Sequence, residues 1–138
     1  MKYVRSCYNK GKGGFSYQPG SEPGFARTAA AIYSLQVCGH YDDPLVREGS
    51  KYLFENFGER QRWFTYGNFY AAPAQYMIGG ETWRNWYAKI KEVLLSRVHN
   101  DGETSLWFEN TSVGPTYETA INVMILAMPY QYVPLYQR

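Results

Sequence analysis

Three asparagines punctuate the chain, each with a glycine two residues on: "NKGKGGFSY" from Asn9, "NFGERQRWFTY" from Asn56 and "NDGETSLWF" from Asn100. They fall 47 and 44 residues apart. An aromatic cluster follows each turn, then a glycine, then a segment whose first turn is small: Gly24 leads to Thr28 and Ala29, Gly67 to Ala71 and Ala72, Gly114 to Thr119 and Ala120. Self-similarity at a period of this size belongs to repeat architectures, in which each unit buries its apolar face against its neighbours. The chain is therefore expected to be built from one unit used about three times.

Within a unit, apolar residues recur at helical spacing. Ala29, Ile32 and Leu35 share one face of a helix that Gly39 ends in the left-handed cap position. The run "YDDPLVREGSKYLFENF" then supplies Asp42 or Asp43 as N-cap, Pro44 at the first helical position, and an amphipathic stripe through Leu45, Tyr52, Leu53 and Phe57. The middle unit copies this order, with Gly79 and Gly80 between "GNFYAAPAQYMI" and "ETWRNWYAKIKEVLLSRV", and Pro73 near enough the start of its helix to be accommodated. The spacing predicts inner helices over 25–38, 67–78 and 115–128, outer helices over 43–57 and 81–98, essentially no sheet, and an extended tail "YQYVPLYQR". The fold class is all-α, a row of about three α-hairpins in a single domain over 1–138. Small residues place the inner helices against one another, with Ala71 and Ala120 at the close approaches. Trp63, Trp83, Trp86 and Trp107 read as packing between units.

Composition narrows the partners. The formal net charge is +2, and Lys and Arg alternate with Asp and Glu instead of forming a basic run, which argues against nucleic acid. No apolar run reaches the roughly 18 residues a spanning helix needs, and Met1-Lys2-Tyr3 leads into polar residues rather than an apolar signal core. Two cysteines, Cys7 and Cys38, make no disulfide framework. The aromatic share of 18% is high enough to suggest either tightly packed repeats or a face that binds through ring surfaces.

The turn motifs "SCYNKGKGGFSY" and "RVHNDGETSLWF", with inner helices that begin on Thr-Ala and end on glycine, resemble the α/α-toroid proteins: squalene-hopene cyclases, protein prenyltransferase β subunits and related repeat proteins. The ending "YQYVPLYQR", with "YGNFYAAPAQYMIGGETWRNW" upstream, is similar to bacterial members of that family, which leaves an exported bacterial location open. The resemblance implies a partial toroid. Three hairpins are half of the six that close a ring, so the chain is expected to be the C-terminal part of a longer toroid, or one lobe that meets a second. In the cyclases an Asp-x-Asp-Asp-Thr-Ala motif supplies the proton. Aligned on Thr28 and Ala29, its three acids fall on Gly24, Ala26 and Arg27, and a guanidinium cannot release a proton near neutral pH. The prenyltransferases use zinc, and "CGHYDD" gathers Cys38, His40, Asp42 and Asp43. A cluster at one helix end does not easily wrap a tetrahedral ion, so these read as a buried cysteine and capping residues, with no metal and no cofactor. His99, beside its turn, reads as a surface or capping residue.

If the inner helices line a common face, Arg27, Tyr66, Asn68, Tyr70, Tyr117 and Glu118 stand at its mouth. They are the candidate ligand-binding residues, suited to a molecule with an apolar body and a polar tip. Equally, they make a self-satisfied rim in which Arg27 and Glu118, two residues before equivalent alanines, pair. Two functions follow. One is a non-catalytic repeat module that binds or scaffolds a partner protein, and the other a fragment or relative of an isoprenoid-processing enzyme that binds an apolar small molecule.

Overall fold

The structure, a computed structural model, describes residues 1–58, 63–108 and 113–131. Helices dominate: α1 Lys2–Ser6, α2 Phe25–Val37, α3 Pro44–Glu55, α4 Phe64–Ile78, α5 Gly80–Ser96 and α6 Pro115–Ala127, the last running into a 3-10 turn, Met128–Tyr130. Two antiparallel hairpins of two-residue strands stand beside them, β1 Tyr8–Asn9 with β2 Gly14–Phe15, and β3 His99–Asn100 with β4 Ser105–Leu106. The mostly helical fold matches the helical spacing of the sequence. The hairpins are what that spacing did not show, and they sit at the turns that begin with Asn9 and Asn100.

Local chemistry explains the boundaries. Asn9 Oδ1 accepts from the backbone N–H groups of Gly11 and Lys12, and Asn100 Oδ1 accepts from Gly102 N, so each asparagine shapes the turn that pairs its strands. Asp43, rather than Asp42, is the N-cap of α3: its Oδ1 accepts from Leu45 N at 2.9 Å, and Pro44 occupies the first helical position. Gly39 adopts φ 86° after α2. Gly79 and Gly80, at φ 74° and 55°, turn the chain from α4 directly into α5, in a conformation that side chains with a Cβ resist.

The threonine of each Thr-Ala pair fastens a hairpin to the helix behind it. Thr28 Oγ1 accepts from Phe15 N at 2.8 Å, and Thr119 Oγ1 accepts from Trp107 N at 3.1 Å. In both cases the hydroxyl also lies 3.5 Å from the carbonyl of the same strand residue. Ala71 stands in the corresponding place of the middle segment and has no oxygen to offer. α4 begins at Phe64, three residues before the expected 67. Pro73 consequently lies well inside α4 instead of near its start.

The core is assembled from helix faces. α2 and α4 run in the same direction, because Gly67 approaches Phe25 and Ala26 near both N-termini while Gln36 Nε2 donates to Ala74 O near both C-termini. A Cβ on Gly67 would stand 2.8 Å from the Phe25 ring, which is the closeness that the small residues permit. α3 covers α2, α5 covers α4, and α6 packs on the side of α4. Trp86 of α5 is fully buried and stacks on Phe25 at 6.0 Å between ring centroids, while Phe54 and Phe57 meet it edge-on at 5.4 and 5.3 Å. Trp107 is buried as well, with its Nε1 donating to Leu94 O at 2.8 Å. Trp63 departs from the packing expectation, being 56% exposed. Of the extended tail expected over 130–138, Tyr130 instead ends the 3-10 turn and Gln131 is left-handed at φ 55°, while 132–138 lie outside the described residues, as do 59–62 of the middle turn.

Ala71 is fully buried, as the close-approach argument requires, whereas Ala120 is exposed beside Val123. α6 turns Glu118, Ile121, Asn122 and Ile125 inward, a set spaced three and four residues apart, and this rotation carries Ala120 off the contact. Ala71→Leu is therefore expected to overpack the interior and cost about 1–3 kcal/mol, while Ala120→Leu stays within about 0.5 kcal/mol of the parent; urea denaturation separates the two. Thr28→Val keeps the shape but leaves the buried Phe15 N–H without its acceptor, an expected loss of about 1–3 kcal/mol. The half-buried Thr119→Val should cost less in the same measurement, since water can reach the freed donor.

Candidate functional site

Three of the six candidate residues converge. Tyr66 and Tyr70 lie one turn apart on α4 with ring centroids 5.2 Å apart, and Tyr117 of α6 is close enough to Tyr66 for their charged forms to repel. The face extends further than the repeat pattern indicates. Tyr33 of α2 meets Tyr70 at 5.9 Å, and Trp63, just ahead of α4, meets Tyr66 edge-on at 6.4 Å. The resulting ladder of rings crosses from α2 over α4 toward α6. Trp63 and Tyr66, at one end, are open to solvent, while Tyr70 and Tyr33 are half-buried.

The other three candidates are placed elsewhere. Asn68 is 1% exposed, and its Nδ2 donates within α4 to Phe64 O at 2.9 Å. It belongs to the interior and not to a rim. Glu118 is 3% exposed and faces a void of about 10 Å³ shared with Phe64, Arg97, Trp107 and Asn122. Such a space holds about one water molecule. Arg27 is exposed on α2, where the absent side chain of Gly24 leaves room for its guanidinium, and its charge is felt by Tyr52. The expected Arg27–Glu118 pair is therefore not formed: the ion pairs between described residues are Arg5–Asp43, Lys12–Glu22, Lys51–Glu55 and Glu81–Arg84. The reason is again rotational. Equivalent positions in sequence stand on helices turned differently about their axes, so Glu118 points inward and Arg27 outward.

The electrostatics of the aromatic face come from its partial burial. Tyr66 has its pKa raised above 10, first by desolvation and then by its hydrogen bond and repulsion with Tyr70. Tyr117 is raised by desolvation, by Tyr66 and by Glu118. Both phenols stay protonated at neutral pH, where they offer O–H donors beside ring faces. A face of this kind suits apolar or cationic groups carrying a hydrogen-bond acceptor.

The "CGHYDD" segment is used structurally. Asp43 caps α3 and accepts from Arg5 at 2.5 Å; desolvation would raise its pKa, but the hydrogen bonds from Arg5 and Leu45 hold it below the usual carboxylate value. Cys38 is exposed, where a buried cysteine was expected. Among the described residues, no group of three His, Cys, Asp or Glu side chains is placed to hold a metal ion.

No protein-family model, no curated protein and no solved structure matches the chain.

Because Tyr66 and Tyr117 keep their protons longer when folded than when unfolded, they contribute stability that is complete below about pH 10 and is lost as pH rises through their folded values. Thermal melting followed from pH 8 to 11 is expected to fall at the alkaline end, and the fall should be shallower in Tyr66→Phe and Tyr117→Phe than in the parent.

Proposed function

We propose that the chain is a non-catalytic binding module of the α/α-toroid type, an arc of α-hairpins that engages a partner protein through the aromatic face of its inner helices. The observation that carries this reading is the continuous ladder Tyr33, Tyr70, Tyr66 and Trp63, of which Tyr66 and Trp63 are exposed. Tyrosine and tryptophan are the side chains most often found at the energetic centre of protein interfaces, since each gives a large rigid surface and a polar handle. Support for the toroid arrangement comes from the parallel α2 and α4, from α6 beside α4, and from the threonine-to-hairpin fastening that recurs at Thr28 and Thr119. In a toroid the exposed edge of α6, with Ala120 and Val123, would receive the next hairpin, from the same polypeptide or from a second lobe.

Support for the non-catalytic part is chemical. Gly24, Ala26 and Arg27 hold no acid where the cyclase motif would place one, and Glu118 faces the interior. General-acid catalysis needs a group that holds and releases a proton at working pH. The second reading, an isoprenoid-enzyme relative that binds an apolar molecule, is supported by Tyr117 of α6, whose phenol feels the charge of Tyr66.

Incubation of the chain with squalene and with a prenyl diphosphate is expected to give no product by mass spectrometry. In parallel, Trp63→Ala combined with Tyr66→Ala should weaken capture of the partner at least about tenfold while leaving the melting temperature of the chain near that of the parent. Product above a no-protein control would overturn the module and favour the enzyme; undiminished capture by the double variant would remove the aromatic face from the interface.

A further inference from the structure

At the far end of α2 and α4 from their first turns lies a second cavity, of about 390 Å³, within the range of small-molecule sites. It is polar where the first face is aromatic. The turn after α2 contributes Tyr41 and Asp42, and α3 contributes Arg47 and Ser50, which are three residues apart and so share one helical face. Gly79 and Thr82 close it from the start of α5.

α5 is 17 residues long and its N-cap is Gly79, which has no side chain to accept from the first-turn N–H groups. Those groups, with the positive end of the helix dipole, favour a negative charge at Gly79 and Thr82. Arg47 is exposed and makes none of the ion pairs between described residues. An independent sign comes from Gln75. This side chain is fully buried, its Oε1 accepts from Ser50 Oγ at 2.7 Å, and its Nε2 has no hydrogen-bond partner. Ser50 lines the cavity, so the Gln75 carboxamide lies one hydrogen bond behind its wall.

The turn before α3 sets the rest of the ligand. The Asp42 carboxylate lines the same cavity, and its lone pairs can serve more than one donor. It repels a phosphate dianion and attracts an ammonium group. We infer that this cavity is a binding site for a free α-amino acid, whose carboxylate lies against Arg47, Thr82 and the first turn of α5 while its ammonium group lies against Asp42. Ile78 of the lining is left to meet a small side chain.

The test is a titration of the whole ¹⁵N-labelled chain with L-alanine, followed by NMR, with acetate, methylammonium and inorganic phosphate as separate probes. L-Alanine is expected to shift the backbone N–H signals of Gly80 and Thr82 and the side-chain amide of Gln75 saturably, with a Kd of about 1 mM. Arg47→Met should weaken this at least about tenfold. Asp42→Asn should weaken L-alanine but not acetate. The inference is overturned if L-alanine at about 100 mM moves none of these signals, or if Arg47→Met binds as tightly as the parent. It is equally overturned if acetate or phosphate binds as tightly as L-alanine in the parent, which would make the cavity a simple anion site. Arg47 and Asp42 are exposed, so both variants are expected to melt near the parent temperature, and the binding comparison is made on folded protein.

Discussion

The indole of Trp86 is the contact on which the arrangement of the helices depends. It is carried by α5, yet it stacks on Phe25 at the start of α2 and meets Phe54 and Phe57 at the end of α3. Phe57 in turn touches Phe64 at the start of α4. One fully buried side chain thus joins both helices of the first pair to both helices of the second. Aromatic contacts of this geometry add to the area they bury, and they also fix orientation, because offset-stacked and edge-on pairs tolerate little sliding. Lys89 covers the solvent side of the cluster, with its Nζ 4.5 Å from the Phe57 ring centre.

With α2 held to α4 by that cluster, the small residues between them set how close the backbones come. Gly67 gives the Phe25 ring its place, and Gly49 of α3 does the same for Ile32, whose Cγ2 would be 2.4 Å from an added Cβ. Close approach at one end brings Gln36 to the backbone of Ala74 at the other. The same parallel arrangement makes the two ends of the helices chemically different. Phenols and an indole gather toward the first turns of α4 and α6. Hydroxyls, an arginine and an uncapped helix start gather where α4 gives way to α5.

Much of the local structure was legible in the sequence. The positions of α2, α3, α5 and α6 follow from helical spacing, and the capping of α3 from Asp43 and Pro44, because such signals act over a few residues. The site was legible only in part. Tyr66, Tyr70 and Tyr117 were marked by their places in the repeat, and they do converge. Asn68, Glu118 and Arg27 were marked by the same argument, and they do not. Trp63 and Tyr33 carried a composition signal, the high aromatic content, but nothing that assigned them to one face.

The difference has a physical cause. The sequence by itself determined the amphipathic faces, the caps and the small-residue helices, all of which depend on neighbours within one or two turns. Only the tertiary structure decided how far each helix is rotated about its axis, and that rotation is settled by contacts between residues distant along the chain. Thr28 and Thr119 bind residues a dozen positions back along the chain, and α4, with Ala71 in the matching place, starts early enough to carry Pro73 into its interior. The packing of Glu118, Ile121, Asn122 and Ile125 turns Ala120 to solvent. Positions that match in sequence are therefore not equivalent in burial, because burial is set by the helix that lies opposite.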